Sequence, residues 1–188
     1  MRTRTRPAWS ATELADLYAT PYNHLHWGYG HGIRMDWTAA WARWHTTGLT
    51  SVADLSAGDG ALLDQLDVPT KIYGDLAPAP GNDHWITGPI EDTIHQVDHV
   101  DLLVMTEIVE HLDDPDTALE AATHIATGLL LTTPIDEPEP SHDQHYWCWD
   151  QAGVADMLAA AGWTPTVQRD LWLPDTLSYQ LWICEASR

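Results

Sequence analysis

Glu107, Glu110 and His111 stand in one short run directly after a nearly continuous apolar segment, Val100–Thr106. In a first helical turn, residues at i, i+3 and i+4 face one side, so the spacing predicts two carboxylates and an imidazole that converge. Two carboxylates about 5 Å apart at an effective dielectric near 20 repel by roughly 3 kcal/mol. A cation, a shared proton or solvent must offset that. His145 or His142, in the run Ser141–Trp149, could add a further ligand from the loop after a later strand. The set Glu107, Glu110, His111 and His145 suits Mg²⁺ or Mn²⁺, with imidazole favouring Mn²⁺. The alternative uses no metal: Glu107 orients a cofactor or substrate, and His111 packs or serves as a base.

A second constellation is Asp54-Leu55-Ser56-Ala57-Gly58-Asp59-Gly60, at the end of the apolar run Ser51–Leu55. Gly58 and Gly60 would let the backbone pass close to a ligand, and a helix after them would offer unpaired N–H groups. Ser56 stands where a nucleotide loop more often has glycine. A tight strand–helix turn explains this run equally well when it is taken alone. Asp75 changes the balance, because it ends the next strand, 21 residues after Asp54. A carboxylate there can accept both ribose hydroxyls of a nucleoside held by the loop. Each such bond to a charged acceptor contributes about 1.5–3 kcal/mol. The lysine of a phosphate-binding loop is absent, which disfavours a nucleoside triphosphate.

The elements that must position these residues follow from apolar periodicity. Strands are expected at 51–55, 71–75, 84–87, 100–106, 128–133, 164–172 and 178–186, with helices near 10–19, 36–47, 115–126 and 149–161. Strands that alternate with helices indicate an α/β domain with a mostly parallel sheet and right-handed crossovers. The connection 173–177 is too short for a crossover, so the last two strands are expected to be antiparallel. Residues 1–48 are expected to form an N-terminal helical cap or lid, and 49–188 the core. His24, His26 and Trp27 could close over a ligand or cap the core. The basic start, Arg2 to Arg6, reads as a frayed leader. Asp113, Asp114 and Asp116 read as helix-start acids. Asp136, Glu137 and Glu139 lie among prolines and read as a solvated loop, with a substrate lid as the other possibility. Trp147, Trp149, Trp163, Trp172 and Trp182 read as core or pocket wall.

Composition limits the partners. The chain has 188 residues, enough for one domain, and a formal charge of -20. Lys71 is the sole lysine, Phe is absent and Trp occurs 11 times. Tight nucleic-acid binding needs many Lys and Arg against phosphates, so this charge opposes it, and it also opposes anionic lipid. A GC-rich coding sequence or salt adaptation would each explain the acid excess. Nothing approaches a membrane-spanning apolar run. Cys148 and Cys184 have no metal-type spacing, and the simplest setting is a reduced cytoplasm.

In order and spacing, Val52–Gly60, Gly74-Asp75-Leu76, Gly88-Pro89-Ile90-Glu91 and Asp101–Leu112 resemble class I methyltransferases dependent on S-adenosylmethionine. The resemblance covers roughly residues 50–186 and looks closest to small methyltransferases encoded by actinobacterial phages. It implies a single-domain Rossmann-like fold with a seven-stranded, mostly parallel sheet and a C-terminal antiparallel hairpin. It also implies that Asp54, Ser56 and Gly58 line the methionine end of the cofactor, Asp75 holds the ribose, and Ile90 with Glu91 lies by the adenine. Gly60, Leu76 and Thr106 complete the cofactor-binding set. Pro89 departs from the acidic residue often found before Ile90. The Glu-x-x-Glu-His pattern is similar to two metal-using branches, the ubiquinone-pathway O-methyltransferases and the RNA 3′-terminal 2′-O-methyltransferases. The reaction implied is methyl transfer to an oxygen of a small-molecule acceptor, with His111, His145 and Glu107 as candidate catalytic residues. An RNA 3′ end as substrate and a non-catalytic cofactor-binding protein are the alternatives.

Overall fold

The structure is a computed structural model that describes residues 1–18, 29–77, 84–137, 143–174 and 177–187. The expected lid residues His24, His26 and Trp27 lie outside the described residues, as do His142 and Glu139.

A seven-stranded sheet organises the chain. Its strands are β2 (Ser51–Asp54), β3 (Thr70–Asp75), β4 (Ile86–Thr87), β5 (Val100–Thr106), β6 (Ala126–Pro134), β8 (Trp163–Leu171) and β9 (Tyr179–Ala186). They lie in the order β4-β3-β2-β5-β6-β9-β8. The first five of that order pair in parallel, and β9 runs antiparallel to both β6 and β8. Chain order reverses direction between β2 and β5. In open α/β sheets such a switch point opens a crevice at the strands' carboxyl ends.

Burial on both faces explains the apolar run of Leu102, Leu103, Val104 and Met105 in the middle of β5. Leu103 and Met105 face one core layer, with Leu119 and Ala122 of α5 (Pro115–Ile125) and Leu158 of α6 (Gln151–Ala160). Leu102 and Val104 face the other, with Ala39 and Ala42 of α2 (Tyr29–His45) and Leu62 and Leu63 of α3 (Ala61–Asp64). Local caps set the helix starts, as capping residues do. The Ser10 side chain accepts from Glu13 N in a complete capping box for α1 (Ala11–Leu17). Asp114 caps α5, with Pro115 in its first turn, and Asp150 caps α6. A short α4 (Ile90–Thr93) follows β4.

Three expectations need correction. Residues 2–4 are not frayed: they form β1 (Arg2–Arg4), antiparallel to β7 (Trp147–Trp149). Arg2 reaches Asp116 at 2.5 Å, Arg4 pairs with Asp113, and the Arg2 guanidinium lies 4.1 Å from the Trp147 ring centre. The helix-start acids therefore also anchor the leader. Trp172 is 62% exposed, unlike the buried Trp149, Trp163 and Trp182. Glu137 is only 6% exposed, so it does not lie in a solvated loop.

Candidate active site

A cavity of about 580 Å³ opens at the carboxyl ends of β2, β3 and β5. Asp54, Ser56 and Gly58 line it from the turn after β2, and Asp75 with Leu76 from the end of β3. Gly88, Pro89, Ile90 and Glu91 come from the turn into α4. Thr106, Glu107, Ile108 and His111 come from the segment after β5. Leu14 and Tyr18 of the α1 region and Arg34 and Met35 of α2 contribute across from the sheet.

The turn after β2 is held by its own acids. Asp54 Oδ1 accepts from the Ser56 N–H at 2.9 Å and from the Ser56 hydroxyl at 3.1 Å. The Gly58 N–H donates to Asp75 Oδ2 at 2.7 Å, with Gly58 at φ 60. Burial pushes the Asp54 carboxyl up to about 7, against the hydrogen bonds from Ser56. Burial also raises Asp75, opposed by the N–H groups of Gly58, Leu76 and Ala77. Two carboxylates facing one cavity can accept ammonium and hydroxyl donors from a ligand. Gly60 has a different part: it does not line the cavity but precedes α3 at φ 83, with Tyr73 and Trp85 side chains 3.2 Å from where a Cβ would sit. The helix expected after the loop is only the four residues of α3. The loop's own N–H groups at Ser56, Ala57, Gly58 and Gly60 are bonded within the protein.

The acid–imidazole group differs from one helical face. Glu107 has φ 54, in the left-handed region, and only Val109–His111 forms a turn, of the 3-10 type. The two glutamates consequently diverge. Glu107 Oε1 accepts from the Thr132 hydroxyl at 2.9 Å and lies 3.9 Å from Arg34. Glu110 Oε2 accepts from the Thr133 hydroxyl at 3.1 Å, while its Oε1 is buried with no hydrogen-bond partner among the described residues. Glu110, His111 and His145 bring ligating atoms within 4.8 Å of one another. Glu107 is not in that group. Burial raises the pKa of Glu110, and Glu107 nearby raises it further. Burial likewise raises Glu107, opposed by Arg34 and the Thr132 hydroxyl. The His111 and His145 rings meet edge-on, with centroids 4.8 Å apart. His111 lines the cavity, and His145 does not.

Sequence reasoning missed Arg34 and Glu137. Arg34 is 6% exposed, stacks 5.4 Å from the Tyr179 ring centre, and is the one Lys or Arg among the cavity's described lining residues. Gly30 and Gly32 argue locally against a helix, so the start of α2 at Tyr29 was not legible and neither was the place of Arg34. Glu137 accepts from, or pairs with, His145 Nδ1 at 2.8 Å. Its run of acids and prolines carried no signal of burial.

No protein-family model matches the sequence, and no curated protein does. Solved structures do. The 1,6-didemethyltoxoflavin-N1-methyltransferase of Burkholderia thailandensis was solved with 1,6-didemethyltoxoflavin and S-adenosylhomocysteine bound. It matches at a TM-score of 0.71 and 17% identity, over 100% of this chain and 95% of that one. The chain has the Rossmann-like methyltransferase fold. The [4+2]-cyclase SpnF matches at a TM-score of 0.72 and 12% identity, over 98% of this chain and 99% of that one. The mitomycin 7-O-methyltransferase MmcR matches at 0.61 and 15%, over 82% of this chain and 54% of that one. These three share the methyltransferase fold and differ in activity, so function has to be argued from the site.

Proposed function

We propose that this chain is an S-adenosylmethionine-dependent methyltransferase acting on an oxygen of a small-molecule acceptor. The observation that carries the reading is the cavity rim where Gly58 is tied to Asp75 beside the buried Asp54. The residues present fit the cofactor. Asp75 would accept the ribose hydroxyls, Asp54 would face the amino-acid ammonium beside Ser56, and Arg34 would meet the carboxylate. Leu76, Ile90 and Glu91 would flank the adenine, with Thr106 closing the methionine side. When bound, S-adenosylmethionine supplies an electrophilic methyl group to a nucleophile placed in line with it. The chain's own part is to position the acceptor and exclude water. Leu14, Met35, Ile108 and Leu112 give the cavity an apolar wall. Of the two candidate bases, His111 is favoured over His145 because it reaches the cavity, and Glu107 would orient the acceptor there. The oxygen preference rests on the sequence resemblance. The amino-methylating pattern of Asn or Asp followed by two prolines and an aromatic is missing after Thr106.

Thermal denaturation with and without S-adenosylhomocysteine tests the cofactor. A ligand present at 100 times its Kd stabilises a fold by about 2.7 kcal/mol, so a clear rise in Tm is expected. No rise at millimolar ligand would sink the reading.

A divalent cation is the second reading, favoured by the orphan Glu110 Oε1 among Glu110, His111 and His145. These three would hold it, leaving Glu107 to Thr132 and Arg34, and it would supply Lewis acidity toward an acceptor hydroxyl. Dialysed protein titrated with Mn²⁺, beside Glu110→Ala, tests this. Activity that survives chelation in full would exclude it.

The free thiols Cys148 and Cys184 support a reduced, cytoplasmic setting. Among the described residues no helix is long and apolar enough to cross a membrane. The skewed composition supports kinship with small phage-encoded methyltransferases.

A further inference from the structure

We propose that Glu137 is a positioning residue of this site: it holds the His145 ring through Nδ1, edge-on behind His111, and so fixes the orientation and the neutral tautomer of that ring. This rests on the reading above that the acceptor lies at His111. The contact is His145 Nδ1 to Glu137 Oε2 at 2.8 Å, with the two side chains 6% and 2% exposed. With Glu137 ionised, its carboxylate can only accept, and Nδ1 is the donor in this pair.

The fold delivers both partners with backbone contacts that a solvated loop would not make. β6 ends at Pro134, and the Ile135 N–H donates to Ser178 O at 2.9 Å. Asp136 follows at φ 51, its N–H donating to Trp149 O at 3.0 Å, and this left-handed residue turns the chain so that Glu137 enters the interior. On the other side the Thr5 hydroxyl donates to His145 O at 3.0 Å. The Tyr146 N–H donates to Glu110 O at 2.7 Å, so His145 is fixed to the very turn that carries His111. The contacts run from the cavity through His111 and His145 to Glu137. A buried carboxylate is unfavourable unless it is paired, and a carboxylate bonded to the far nitrogen of a working imidazole is a recurring way to fix its tautomer and orientation.

Long-range ¹H–¹⁵N correlation spectra of [¹⁵N]histidine-labelled protein test this, with His145 assigned from the signal lost in His145→Gln. In the wild type, neutral His145 should carry its proton on Nδ1. Glu137→Ala should lose that signature, with signal appearing for the Nε2–H tautomer, and Glu137→Asp should keep part of it. A wild-type His145 protonated on Nε2 when neutral would overturn the proposal. A folded Glu137→Ala with an unchanged tautomer would overturn it as well. S-adenosylhomocysteine binding is followed on the same wild-type sample. Its absence would remove the methyltransferase reading and leave the tautomer result to stand for Glu137 alone.

Discussion

The backbone N–H of Gly58 donates to the Asp75 carboxylate at 2.7 Å, joining the turn after β2 to the end of the neighbouring β3. The same carboxylate also takes the N–H groups of Leu76 and Ala77. One side chain thus shapes the loop and presents acceptor oxygens to the cavity. Asp75→Asn keeps the size and one acceptor but loses the charge. Hydrogen bonds to a charged group contribute about 1.5–3 kcal/mol, so S-adenosylhomocysteine affinity should fall by roughly 10- to 150-fold per bond lost. Calorimetric titration gives the number. Unchanged affinity would mean that Asp75 is only a loop tie.

Asp54 makes stability depend on pH. Its folded pKa is raised to about 7 from 3.8, chiefly by burial. Between those values the folded state holds a proton that the unfolded chain has released. The favourable contribution is therefore present at low pH and is lost as pH rises toward 7. A tenfold difference in proton affinity between the folded and unfolded chain is worth about 1.4 kcal/mol, which sets an upper bound of about 4 kcal/mol on the effect. Urea unfolding from pH 5 to pH 8 should show wild-type stability falling relative to Asp54→Asn, and the difference should level off above 7. A flat difference would refute the raised pKa. Binding of a ligand ammonium against Asp54 should also release protons near pH 7, visible as a heat that varies with the buffer's ionisation enthalpy.

Much of this was legible in the sequence. β5 could be read from the sequence because its buried middle, Leu102, Leu103, Val104 and Met105, carries no polar residue. Asp75 and the Gly58 loop could be found because a strand-end acid and a glycine turn are local features at a fixed spacing. The parts that were not legible depend on distant partners. Arg-Thr-Arg has a strand's alternation, but only Trp147–Trp149, far along the chain, gives it something to pair with. Glu137 reads as solvated until the turn at Asp136 aims it at His145. Glu107 reads as helical until its positive φ separates it from Glu110.

Gly60 is required by its backbone conformation and by its neighbours. At φ 83 a side chain is strained, and a Cβ would stand 3.2 Å from both the Trp85 and Tyr73 rings, which stack on each other at 5.4 Å. A non-glycine residue held in such a region costs about 1–3 kcal/mol, before any displacement of the rings. Gly60→Ala should lower Tm by roughly 2–4 °C for each kcal/mol in a domain of this size. Since Gly60 does not line the cavity, ligand affinity should change far less than stability. An affinity loss at unchanged Tm would place it in the binding loop instead.

The N-terminal strand should control the order of the segment that carries His145. Thr5 donates its N–H to Tyr146 O at 2.8 Å and its hydroxyl to His145 O at 3.0 Å. Trp9 N–H and the Tyr146 hydroxyl are 2.9 Å apart, and the Tyr18 hydroxyl donates to Gln144 at 2.8 Å. The accompanying pairs, Arg4 with Asp113 and Arg6 with Asp143, are exposed, and such pairs contribute little. The backbone and hydroxyl bonds, with the part-buried pair of Arg2 and Asp116, therefore do most of the holding. Thr5→Pro removes both donors, since proline has no N–H, and it leaves the sheet core untouched. Amides of residues 145–149 should exchange with solvent faster in that variant, while those of β5 and β6 keep wild-type protection. Raising the salt concentration should have a smaller effect on the same amides than Thr5→Pro, because the exposed pairs are the part that salt screens. The reverse ranking would assign the strap to its arginines.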